Sequence, residues 1–145
     1  MENCIFCSIV ANESKSYKIM EDENHLAFLD IFPPTFNGTI TMPNVVIITK
    51  KHYKSNPFED LPEKVYDKIL SFSRKVARKI QKSIDPLRVC MVIEGMEIEH
   101  FHIKLYPIFK ETYPGYLSTM KGPNNRATLA NNVYLENMMK RMGEK

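Results

Sequence analysis

His100-Phe101-His102-Ile103-Lys104-Leu105-Tyr106, followed by Pro107, alternates polar and apolar side chains without a break. A period of two is the pattern of a β-strand whose two faces meet different surroundings. The strand is predicted to stop at Pro107, with Phe101, Ile103 and Leu105 in the core. His100, His102, Lys104 and Tyr106 are predicted in a row on an open face, successive members about 6.6 Å apart. Solvated strand faces ordinarily carry Thr, Ser, Glu and Lys, yet two of the four histidines of the chain stand here. Histidine titrates near neutrality and serves as nucleophile, proton carrier or metal ligand, so this row is the first candidate for chemistry.

Outward from that strand, residues 45–49 and 89–93 are β-branched runs with the composition of buried strands. Residues 25–31 read as a further strand, ended by the turn formers Pro33-Pro34 and Asn37-Gly38. Between them Val65, Ile69, Phe72, Val76 and Ile80 recur at three- and four-residue spacing, the stripe of an amphipathic helix. Asp60, Pro62 and Glu63 mark its start and Asp85-Pro86 its end. Its other side carries Arg74, Lys75, Arg78, Lys79 and Lys82, read as a solvated face. A second helix is predicted over 127–142, beyond the turn formers Tyr113-Pro114-Gly115-Tyr116 and Gly122-Pro123-Asn124-Asn125. The implied class is α+β, an antiparallel sheet with helices packed on it.

With 145 residues, 43% hydrophobic and 26% charged, the chain has the size and composition of one folded domain. No apolar run approaches the roughly 18 residues of a membrane helix, and Met1-Glu2-Asn3 lacks the basic-then-apolar opening of a signal peptide. A cytoplasmic protein without membrane attachment is expected. The net charge of +3 is too slight to predict nucleic acid as a partner, while small anions fit it. Three cysteines in a reducing compartment predict free thiols. Cys4 and Cys7 are spaced to put two sulfurs on one turn, within reach of a tetrahedral ion; alone, the pair reads equally as two small buried residues. Cys90 reads as core and His25 as surface or strand filler.

The stretch from Glu94 to Pro107 resembles the signature strand of the histidine triad (HIT) superfamily, nucleotide hydrolases and transferases with the pattern His-x-His-x-His. Cys4-Ile5-Phe6-Cys7-Ser8-Ile9-Val10, Leu26-Ala27-Phe28-Leu29-Asp30 with its following prolines, and Lys50-Lys51-His52 match the family in the same order. The likeness covers about residues 4–107. It implies a histidine triad domain over 1–110, a C-terminal extension with a helix over 111–145 packed on the same domain, and a homodimer that extends the sheet. It also implies a nucleotide or dinucleotide as the substrate. His102 would be the nucleophile toward the α-phosphate, its other ring nitrogen held by a backbone carbonyl. Asp30 would accept the ribose hydroxyls, with Phe28 and Ile31 near the base. A structural Zn²⁺ would be held by Cys4, Cys7, His52 and His100, a closed shell without room for a catalytic water.

The chain departs from the family pattern at three places. Lys104 stands where the third histidine is expected, keeping a positive charge for a phosphate but not a group that donates a proton near pH 7. Met96 and Glu97 stand where a small hydroxyl residue is usual, and Glu97 reads either as a replacement acid or as an outward carboxylate. A further family histidine, expected near Asn37-Gly38-Thr39, is absent. The leading reading is an enzyme, a zinc-stabilised nucleotide hydrolase or nucleotidyl transferase that forms a covalent nucleotidyl-histidine on His102. The alternative is a nucleotide-binding module with little or no turnover.

Overall fold

A computed structural model describes residues 3–36, 39–40, 43–110 and 130–143. Helix α1 (Ile5–Val10) precedes strands β1 (Lys18–Glu21), β2 (His25–Leu29), β3 (Thr35–Phe36), β4 (Thr39–Ile40) and β5 (Val45–Thr49). Helix α2 (Glu63–Ile84), β6 (Arg88–Val92), β7 (His102–Ile108) and α3 (Asn132–Gly143) complete the order. Five strands form one antiparallel sheet in the order β1-β2-β5-β7-β6, and β3 pairs with β4 in a small separate hairpin. The α+β class expected from the sequence is therefore the observed one.

Alternation along the strands divides the core in two. On one face Ala27, Leu29, Val45, Ile47, Ile103 and Leu105 pack beneath α2, whose stripe of Ile69, Phe72, Val76 and Ile80 is buried as predicted, and beneath Leu135 and Met142 of α3. Pro62 caps α2, and Asp85 ends it in the left-handed conformation, φ 48°. On the opposite face Leu26, Phe28, Val46 and Ile48 meet Phe6 and Ile9 of α1. The sheet is thus the middle layer, and β7 runs through it with β5 on one side and β6 on the other.

Four expectations need correction. The polar face of β7 is not open: all seven residues from His102 to Ile108 are buried, with Phe6 of α1 packed against His102 and Tyr106 packed with Cys90 and Val92 of β6. Pro107 does not stop the strand but lies within it; pairing with β5 ends at Leu105, so Pro107 falls where β7 is paired on one side only. The run 89–93 forms an edge strand that is half-exposed, with Cys90 partly buried against Tyr106 and Ile108. His25 is neither surface nor filler. It is 4% exposed, stacks on Phe72 at 5.1 Å, and its Nδ1–H donates to Asp22 Oδ1 at 2.9 Å. The turn predicted at Asn37-Gly38, the turn formers at 113–116 and 122–125, and the first residues of the 127–142 helix lie outside the described residues.

Candidate functional site

Cys4 is the N-terminal cap of α1 and Cys7 lies in its first turn, so three-residue spacing sets both sulfurs on one side. His52 lies just beyond β5, and His100 just before β7. The ligand atoms of these four residues lie within 4.8 Å of one another. Cys4 Sγ is 3.4 Å and Cys7 Sγ 3.5 Å from His100 Nδ1, and Cys7 Sγ is 3.3 Å from His52 Nδ1. A tetrahedral ion with bonds of about 2.0–2.3 Å separates its ligands by roughly 3.3–3.8 Å, the range of these three distances, so the four residues could hold a zinc ion. The proton inventory agrees. His100 Nε2–H donates to the Thr49 carbonyl at 2.7 Å, leaving Nδ1 as the lone-pair nitrogen on the sulfur side. Burial pushes the Cys7 thiol up, and the adjacent Cys4 sulfur adds to it.

His100 also serves the next residue on the same face. Its carbonyl oxygen accepts the Nδ1–H of His102 at 2.7 Å, which fixes the tautomer and leaves Nε2 with the lone pair. Burial lowers the His102 pKa below the usual histidine value, and the nearby Lys104 charge lowers it further against the opposing influence of the carbonyl. Both favour the neutral ring near pH 7. In register, His102 faces Ile48 on β5, and Lys104 faces Val46, which in turn faces Phe28 on β2. Lys104 is buried, and its ammonium donates to Glu94 Oε1 at 3.2 Å.

His102 and Lys104 line a cavity of about 430 Å³ on the α1 side of the sheet, whose walls also include Asp30, Phe28 and Glu97, with the exposed Ile31 and Phe32 among its lining residues. All six residues expected to act on a substrate therefore meet in one place. The loop bearing Glu94 and Glu97 is pinned at Gly95, where φ is +61° and a Cβ would sit 2.6 Å from that of Ser55; the Ser55 hydroxyl in turn donates to Ile98 O at 2.7 Å. Sequence reasoning missed the cavity wall formed by Ile5, Phe6 and Ile9 of α1. Their three- and four-residue spacing was the available signal. Phe6 packs edge-on to Phe28 at 5.7 Å, His100 at 5.7 Å and His102 at 5.3 Å, joining the metal-ligand cluster to the cavity.

Residues 11–110 match the HIT domain. The chain belongs to the HIT domain family. It is 33% identical over 137 residues to a 16.1 kDa HIT-like protein of Mycoplasma pneumoniae, covering 89% of this chain and 87% of that one. It is 30% identical over 107 residues to adenosine 5′-monophosphoramidase HNT1 of Saccharomyces cerevisiae, covering 72% of this chain and 61% of the relative. A crystal structure of a hypothetical histidine triad nucleotide-binding protein from Sulfolobus tokodaii superposes with a TM-score of 0.76 at 23% identity, over 97% of this chain and 89% of that one, a likeness of fold. In this HIT protein β7 and the cavity strands lie inside the matched segment, whereas the Cys4 and Cys7 sulfurs and α3 lie outside it.

Proposed function

We propose that this HIT protein is a nucleotide hydrolase or nucleotidyl transferase acting at the α-phosphate, with His102 as nucleophile. The observation that carries this reading is the His102 ring, neutral and held through Nδ1–H on the His100 carbonyl, in the same cavity as a buried cation and a carboxylate. Nε2 attacks the α-phosphorus, a P–N bond forms and the bond to the leaving group breaks; water then attacks phosphorus and releases the nucleoside monophosphate, or another acceptor takes the nucleotidyl group. Lys104, at the place of the third family histidine, stabilises charge on the phosphate oxygens. Asp30 accepts the ribose hydroxyls, Phe28 and Ile31 contact the base, and Glu97 lies toward the phosphate end. Bound at Cys4, Cys7, His52 and His100, Zn²⁺ supplies a structural cross-link rather than a reactive water.

The half-exposed edge strand β6, with Met91 and the preceding Leu87 exposed, supports a homodimer that continues the sheet. Leu135 and Met142 of α3 in the main core support one domain over 1–110 with 111–145 packed on it as an extension. Among the described residues no helix is long and apolar enough to cross a membrane, and a cytoplasmic location is part of the proposal. The Lys104–Glu94 ion pair favours a second reading, a nucleotide-binding module, since it engages the lysine with a protein carboxylate rather than with a leaving group. Turnover decides between them. Adenosine 5′-phosphoramidate is expected to yield AMP with the wild type and not with His102→Ala; a folded wild type that binds AMP without turning over any phosphoramidate or dinucleoside polyphosphate would favour the binding module.

A further inference from the structure

Asn44 stands immediately before β5 and is 1% exposed. It holds Asp30 by two bonds. Its backbone carbonyl accepts the Asp30 N–H at 3.0 Å, and its side-chain Nδ2 donates to Asp30 Oδ2 at 3.0 Å. The N–H of Phe32 donates to the other oxygen, Oδ1, at 2.9 Å. Among the described residues each carboxylate oxygen thus has one side-chain or backbone donor and keeps capacity for another, on a side chain that lines the cavity.

The other end of the amide carries the argument. Asn44 Oδ1 is fully buried and has no hydrogen-bond partner among the described residues. Exchanging the nitrogen and oxygen would set a carbonyl against a carboxylate, so Asp30 fixes the orientation of the amide. A buried acceptor without a partner is destabilising, and leucine has the same branched side-chain shape without one. Core packing therefore does not account for asparagine at this position. Its donor to Asp30 does.

We propose that Asn44 is a positioning residue for ribose recognition: it locks the Asp30 carboxylate as a two-oxygen acceptor for vicinal hydroxyls. The inference rests on the nucleotide reading above. A carboxylate already held by Asn44 and Phe32 loses little rotational freedom when the diol arrives, so its two bonds contribute more to affinity than those of a free side chain.

The test is calorimetric titration of the full chain with AMP and with 2′,3′-dideoxyadenosine 5′-monophosphate. Wild type is expected to prefer AMP by at least about tenfold, the discrimination of one or two bonds to a charged group. Asn44→Leu is expected to lose most of that ratio through weaker AMP binding, and to change it no further in an Asp30→Asn background. Asn44→Ser, too short to reach Asp30, provides a second variant should leucine impair folding, and the same loss is expected. A wild-type ratio in both Asn44 variants, or no ribose preference in a wild type that binds AMP, overturns the role of Asn44 and leaves the nucleotide reading standing. A wild type that binds neither nucleotide overturns both.

Discussion

Alanine at Phe101, immediately before β7, and at His102, its first residue, should separate the two faces of the sheet. Phe101 is fully buried in the core under α2, where a truncated side chain leaves a closed void; such losses cost about 3–5 kcal/mol. For a chain of this size each kcal/mol lowers the melting midpoint by about 2–4 °C, so Phe101→Ala should fall by roughly 6–20 °C. His102 is nearly as buried, at 3% exposed, but it borders the 430 Å³ cavity, where water can occupy the space it leaves. What remains is an unpartnered His100 carbonyl and the lost edge contact with Phe6, a cost of about 1–3 kcal/mol or roughly 2–12 °C. Thermal and urea denaturation give the stabilities, and turnover per folded molecule gives the chemistry. Phe101→Ala should be the less stable variant and remain active while folded; His102→Ala should fold and be inactive. A His102→Ala protein less stable than Phe101→Ala would refute the division of faces.

Three further outcomes are expected. Elemental analysis of protein purified without chelator should find about one zinc per chain, and Cys7→Ser should lower both metal content and melting midpoint; metal-free wild-type protein would contradict the ligand set. Turnover should fall steeply as the leaving group becomes more basic, because Lys104 stabilises charge without passing a proton, and Lys104→His should narrow that gap; a wild type indifferent to leaving-group basicity would make Glu97 the acid. Burial alone would raise the Asp22 pKa, but hydrogen bonds from the His25 ring and from the Asn24 and His25 N–H groups hold it below the usual carboxylate value. A lowered folded pKa means that stability is fully present above about pH 4 and is lost as pH falls through the folded value, so Asp22→Asn should flatten denaturation midpoints measured below about pH 4.

The parts of the fold with a long period were legible in the sequence. The stripe of α2 and the β-branched run of β5 announce themselves because burial on one face, or on both, leaves a compositional record. Strand order leaves none, which is why β6 read as interior although it is an edge. The face of β7 was assigned correctly by its alternation, but its exposure was not, since the spacing of Ile5, Phe6 and Ile9 on the six-residue helix α1 says nothing of which strand the helix covers. Cys4 and Cys7 were visible as a local pair, whereas His52 and His100 lie 45 and 93 residues from Cys7 and were reached only through the family resemblance. Asp22 precedes His25 by three residues, and their pairing, which turns on the tight approach to β2, was not read from the sequence. Asn44 had no signal, since a polar residue before a β-branched run reads as a turn.

The central claim, a covalent nucleotidyl-histidine, is tested most directly by intact-mass spectrometry of protein quenched in the pre-steady state after mixing with adenosine 5′-phosphoramidate. The account predicts a transient acid-labile adduct of one adenylyl group, mapped by peptide analysis to His102 and missing from His102→Ala. Turnover to AMP by the wild type with no adduct at any quench time, with breakdown shown to be rate-limiting, or with the adduct on another residue, would contradict it.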